Sequence, residues 1–307
     1  MRNNSCASAS IWLLCTALSG CATPQYAIRP TPTPDESEWV VDLERTISAY
    51  QAQELERQGS RLIHAGERLW GFDVASVLRR LSRVTERPSL PYRVFLLQDR
   101  DPNAVALADG RVYVTSGMLN YLSSRGSRED ELAAIVSHEL AHTVAQHLIR
   151  RYRQLQQQQL LMAVVGVGTA IASQQGGSSI GSLANDAASL VTSVANSAYS
   201  QDQELEADQL GARYMARAGY DPYSAVAVLR DFRRFAPGGI FLSTHPDPER
   251  RAQDLERFLT ETTPASSTPA SVEPQRQRLK AAQRLYPAGS LSWQNLQRQL
   301  DDLDALD

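Results

Sequence analysis

The feature that most constrains this chain is Ser137-His138-Glu139-Leu140-Ala141-His142, set in residues 129–148, a run without proline or glycine. That run predicts a helix, and on a helix residues four apart share a face. His138 and His142 then project together, one turn apart, and can grip one metal ion through two imidazole nitrogens. Glu139 is next to His138, within reach of a water on that metal. Two neutral ligands, an open coordination position and a carboxylate that can take a proton are what zinc-dependent peptide hydrolysis needs.

The ends of the chain set its compartment. Arg2 and a short apolar core, residues 11–18, read as a targeting segment too short to span a bilayer. Leu18-Ser19-Gly20-Cys21 resembles a bacterial lipobox, which implies cleavage before Cys21 and lipidation of that residue. Ala22 follows, and the sorting rule of lipoproteins then implies the periplasmic face of the outer membrane. The three cysteines are Cys6, Cys15 and Cys21. A mature chain without free thiols excludes cysteine-ligated zinc and thiol catalysis. A net charge of −3, with lysine and arginine spread out, gives no nucleic-acid-binding surface.

Residues 21–37 hold the lipidated cysteine and a proline-rich stretch that reads as a tether, and residues 38–260 read as the folded domain. Helices are expected at 38–57, 61–70 and 72–85, then three extended runs at 92–97, within 101–110 and at 111–115. The Asp109-Gly110 turn joins the last two, predicting a small antiparallel sheet. Ser127 and Asp130 suggest a helix start, and the metal-site helix should run to about residue 153. Residues 160–172 are apolar and small, too short to cross a membrane; they read as a buried helix or as a flap touching membrane. Further helices are expected at 183–198, 201–218 and 223–235, and after Asp247-Pro248. Residues 261–275 form a Thr/Ser/Pro linker and 276–307 a polar helical tail. The fold class is mainly α with a small antiparallel β-sheet (α+β).

A catalytic zinc ion usually takes three protein ligands. Position 148 is leucine, so a third histidine six residues after His142 is missing, and no glutamate occurs between Glu139 and Glu204. Glu204 is the next candidate. Asp208, four residues on, shares its helix face, whereas Glu206 is rotated roughly 200° away and should face outward. Gly211 and Ala212 would let this helix approach the histidine helix closely. His147, five residues past His142, points off the ligand face, and His64 reads as a surface or packed histidine.

H-E-x-x-H followed much later by E-x-x-x-D resembles the HtpX/BepA/LoiP-like zinc metallopeptidases, relatives of the CAAX prenyl protease, of gluzincin type. Asn103-Ala104, residues 110–117, residues 243–246 and Glu249-Arg250 extend the likeness. Membrane spans and a long helical-repeat domain, found in some members, have no counterpart here, so the likeness is to the small lipoprotein members. The resemblance implies one Zn2+ per chain on His138, His142 and Glu204, with Glu139 as catalytic base. It also implies Asp208 behind a ligand and Asn103, Ala104 and Val105 along an extended peptide substrate. His245 would sit near the metal, either blocking the open position or steadying the oxyanion. The implied partners are envelope polypeptides, the membrane through a lipid anchor, and outer-membrane assembly or protease proteins. A second reading is a zinc-holding chaperone or scaffold lipoprotein with little proteolysis, whose mark would be loss of Glu139. The anchor is testable directly: Cys21→Ser should release the protein from the membrane fraction or leave it unprocessed, while Cys6→Ser and Cys15→Ser behave as wild type. Normal fractionation of Cys21→Ser would move the anchor elsewhere.

Overall fold

The computed structural model describes residues 27–57, 59–173, 190–194, 197–233 and 244–262, together with 280, 283, 293, 297, 300 and 301. For residues 162–173 it describes the backbone alone. The signal segment, Cys21, Ser243 and most of the linker and tail lie outside the described residues.

The first helix, α1 (Glu38–Arg57), buries Val40, Glu44, Ile47, Ser48 and Ala52, a stripe at helical spacing. The chain then enters β1 (Ser60–Leu62), paired antiparallel with β2 (Arg93–Leu97). A helix over 61–70 does not form. Backbone bonds to β2 hold the start of that stretch, and Gly66 (φ 80) and Trp70 (φ 51) turn the rest. α2 (Val74–Ser82) starts at Asp73, whose carboxylate accepts the Ser76 N–H.

The sheet is completed by β3 (Ala104–Ala106) and β4 (Arg111–Thr115), in the order β1-β2-β4-β3. It is mixed and not wholly antiparallel, because β2 and β4 run parallel while both outer pairs are antiparallel. The Asp109-Gly110 turn sends β3 to the far side of β4, so β4 meets β2 with its other edge, in the same direction. β3 is therefore an edge strand.

α3 (Ser116–Ser124) is capped by Thr115. α4 (Glu129–Val144) carries the H-E-x-x-H motif, and every residue from Leu132 to Val144 is buried. The expected Ser127–Asp130 cap does not form: Ser127 donates to Glu131, and Asp130 accepts the Asp221 N–H from another loop. The helix also stops early. Gln146 takes φ 54, which ends the helical phase, and α5 (His147–Ser173) starts afresh. On α5, Leu160 and Leu161 are exposed, and no helix among the described residues is long and apolar enough to cross a membrane.

α6 (Gln201–Arg217) opens with a full capping box, Ser200 with Gln203. α7 (Tyr223–Phe232) follows Asp221-Pro222, and α8 (Pro248–Thr262) has Asp247 accepting the Arg250 N–H at its start. The main core joins α2, the sheet, α3, α4, α6 and α7, and α8 closes over α6 and α7 through Leu255, Phe258 and Leu259.

Residues 27–37 have no regular structure, yet they are held along the body and do not hang free as a tether. The buried Gln209 side chain bonds both the Ala27 carbonyl and the Arg29 N–H, and Gln146 does the same with both backbone groups of Asp35.

The α4–α6 contact is tight at Gly211. A Cβ there would sit 3.1 Å from the His138 nitrogen and 3.2 Å from Ser137 atoms. Gly211→Val should destabilise the metal-free chain by on the order of 1–3 kcal/mol through overpacking, read as a lowered urea midpoint. A midpoint equal to wild type would mean that the two helices separate without cost.

Candidate active site

α4 and α6 lie side by side, so His138, His142 and Glu204 converge. The two Nε2 atoms are 3.0 Å apart, and the Glu204 carboxylate lies 3.5 Å from His138 and 3.4 Å from His142. The loop before α8 brings His245 Nδ1 to 3.2 Å from His138 Nε2 and 3.1 Å from Glu204 Oε1. Ligand atoms of these four buried residues all lie within 4.8 Å of one another. Zinc bonds of 2.0–2.1 Å in a tetrahedron give edges of about 3.3 Å. Three imidazole nitrogens and one carboxylate at these spacings fit a zinc ion, with His245 at the fourth corner.

Glu139 points to the same centre from the β3 side. Its Oε2 accepts the Ala106 N–H at 3.1 Å, while Oε1 is buried, lacks a hydrogen bond and lies 3.5 Å from His245 Nε2. A buried carboxylate oxygen without a donor is costly unless something else enters the space in front of it.

Asp208 sits one turn beyond Glu204, its Oδ1 2.9 Å from His138 Nδ1. Arg251, from α8, grips Asp208 through two bonds of 2.7 and 2.8 Å and reaches Glu204 at 2.5 Å. The likeness singled out Arg250, but that residue pairs with Asp254 on its own helix. Two adjacent arginines differ only in helix phase, and phase is fixed by where Pro248 starts α8.

The carboxylates are tuned apart. Burial raises the pKa of Glu139 above the usual carboxylate range. Burial also opposes ionisation of Glu204, but Arg251 and the histidines hold it well below that range. For His138, burial and Arg251 disfavour the charged form, yet the Asp208 and Glu204 carboxylates win and raise its pKa to about 9. Burial keeps His142 well below its ordinary value. The two buried carboxylates are thus shifted in opposite directions, Glu139 up and Glu204 down.

Asn103, Ala104 and Val105 line the edge of the sheet. The Asn103 and Leu107 bonds to β4 put Val105 in register with Tyr113, so Ala104 and Ala106 present their backbone groups outward. Both outward N–H groups are engaged, Ala104 by the Asn103 side chain and Ala106 by Glu139. Glu139 and His138 also line a small pocket whose walls include Ile135, Val228, Leu229 and Phe232.

Two further groups touch the site without a signal in the motif. Tyr199 stacks on the His142 ring at 3.7 Å. His147 is fully buried behind His142, because the turn at Gln146 rotates it back from the direction an unbroken helix would give. Glu206 does face away from the metal centre, but toward His147 and Arg150.

Residues 72–259 match Peptidase family M48. The chain is 30% identical over 184 residues to the beta-barrel assembly-enhancing protease of Escherichia coli (strain K12), which covers 57% of this chain and 36% of that protein. It is 28% identical over 193 residues to the mitochondrial metalloendopeptidase OMA1 of Schizosaccharomyces pombe, 61% of this chain and 52% of that one. With OMA1 of Saccharomyces cerevisiae the identity is 24% over 269 residues, covering 80% and 73%. The chain therefore spans about a third and about half of the first two relatives. Taken with the convergence of the H-E-x-x-H helix and Glu204, these matches conclude the assignment: the chain belongs to peptidase family M48 and is a metallopeptidase.

Proposed function

We propose that the protein is a zinc metalloendopeptidase, anchored by lipid at the periplasmic face of the outer membrane, that cleaves unfolded or misassembled envelope proteins. The observation that carries the catalytic part is Glu139 Oε1, buried, without a hydrogen bond and 3.5 Å from His245, one of the four converging residues. The envelope setting is supported by the lipobox-like sequence and by the likeness to a beta-barrel assembly-enhancing protease.

In this reading His138, His142 and Glu204 hold one Zn2+. A bound zinc ion supplies Lewis acidity to the attacking water and to the scissile carbonyl. The Ala106 N–H fixes Glu139 through Oε2, which leaves Oε1 to take the proton of the water. The same oxygen then gives that proton to the leaving amine nitrogen. A peptide laid along β3 would find the outward carbonyls of Ala104 and Ala106 as acceptors, and backbone recognition of this kind carries little sequence selectivity. The pocket beside Glu139, walled by Ile135, Val228, Leu229 and Phe232, suits an apolar side chain next to the scissile bond. Asp208, held by Arg251, accepts from His138 Nδ1 and so keeps its Nε2 turned to the metal.

Glu139→Gln should retain zinc and fold but lose about a hundred- to ten-thousand-fold in casein cleavage, since the amide cannot take the proton. Cleavage within a few-fold of wild type would remove Glu139 from the role of base. Envelope proteins that accumulate in cells carrying this variant would name the substrates.

His245 supplies the second test. Its Nδ1 stands at the corner a catalytic water would need, which favours a latch over an oxyanion donor. His245→Ala should then raise basal proteolysis. A fall of up to about a thousand-fold would favour the donor role, and an unchanged rate with unchanged zinc affinity would reject both.

A further inference from the structure

His142 has two ring nitrogens, and only one of them faces the cluster. Nε2 lies 3.0 Å from His138 and 3.4 Å from Glu204. Nδ1 points the other way, 2.8 Å from Nδ1 of His147. A short contact between two imidazole nitrogens needs one proton, so one ring donates and the other accepts. Which ring donates decides whether His142 Nε2 carries a lone pair or a hydrogen.

The surroundings of His147 set that direction. Its Nε2 lies 3.3 Å from Glu206 Oε2. Arg150 holds the Glu206 carboxylate with two bonds of 2.6 and 3.1 Å. Gln203 donates to the His147 carbonyl at 3.2 Å and anchors the backbone. A carboxylate oxygen opposite His147 Nε2 requires the proton to be there. A neutral His147 then presents a lone pair at Nδ1, and His142 must donate its Nδ1–H. Nε2 of His142 is left free of hydrogen and aimed at the metal. Tyr199, stacked on the His142 ring at 3.7 Å and 22°, keeps the ring plane aligned with this chain of bonds.

We propose that His147 is a positioning residue of the metal site: with Glu206 and Arg150 behind it, it fixes His142 in the tautomer and orientation that binds zinc. The sequence places Glu204, Glu206 and Asp208 on one helix. Each then has its own part, with Glu204 at the metal, Asp208 behind His138 and Glu206 behind His142 through His147. Partners of this kind raise ligand basicity and hold the ring, and their loss typically costs 10–100-fold in metal affinity. The inference rests on the zinc assignment proposed above.

The test uses the mature full-length chain and zinc alone as the probe. Zinc affinity is measured by chelator competition, and the urea midpoint of the metal-free protein is measured beside it. His147→Leu should bind zinc about 10–100-fold more weakly than wild type. His147→Gln offers a side-chain carbonyl to the His142 Nδ1–H and should stay within about threefold. If the leucine variant does not fold, Glu206→Leu replaces it; this removes the acceptor opposite His147 Nε2 and should weaken zinc by about tenfold. Wild-type affinity in His147→Leu or, in its place, in Glu206→Leu would overturn the proposal. So would equal losses in the leucine and glutamine variants at matched urea midpoints, since packing alone would then account for them. Failure of the wild-type chain to bind one zinc ion would instead overturn the metal assignment, and this proposal with it.

Discussion

The close contact of α4 with α6 is the constraint on which the rest depends. Gly211 lies against the backbone of Ser137 and His138, nearer than a side chain there would allow without a shift. That approach sets the reach from the histidine pair to Glu204, and zinc tolerates little error in such distances. It also explains why α4 is buried throughout its motif: β3, α2, α6 and α7 pack around it. A helix fixed on all sides can hold two imidazoles and a carboxylate in chosen directions, which an exposed helix cannot.

The site gathers several charged groups in the buried interior, and it is tolerable because nearly all are paired. Arg251 neutralises Asp208 and reaches Glu204, and Asp208 in turn meets His138. Removing one member of such a set would strand the others, a larger loss than the set's net contribution to stability. Glu139 is the exception. One of its oxygens is bonded to the edge strand and the other is left facing the centre.

A second buried network ties the N-terminal segment to the same helix. Arg87 and Glu44 form a two-bond pair inside the protein, Gln146 donates to Glu44, and Gln146 also clasps Asp35. Gln146 occupies the left-handed turn that ends α4. The turn that brings His147 behind His142 is thus braced by α1, by the segment after α2 and by the N-terminal segment. Strain at Gln146 persists because its surroundings fix it from several directions.

Much of this was legible in the sequence, for identifiable reasons. The H-E-x-x-H spacing put two imidazoles on one face because helical periodicity is local. The absence of glutamate before Glu204 narrowed the third ligand, and Gly211 with Ala212 announced a close helix contact. The helix starts after Asp221-Pro222 and Asp247-Pro248 were readable, because such signals are local, whereas the cap expected at Ser127 did not form. The rest depended on contacts between distant segments. The parallel β2–β4 pair arose from the side of β4 that β3 occupies, and β1 formed because β2 offered an edge to residues 60–62. Arg251 and not Arg250 reaches the site through the phase of α8, and His147 returns to His142 through one residue at positive φ. The sequence by itself determined which atoms could meet a metal and take a proton, since those properties belong to residue types and local spacing. Only the tertiary structure decided which groups stand behind them, because those partners come from separate helices whose directions no local pattern encodes.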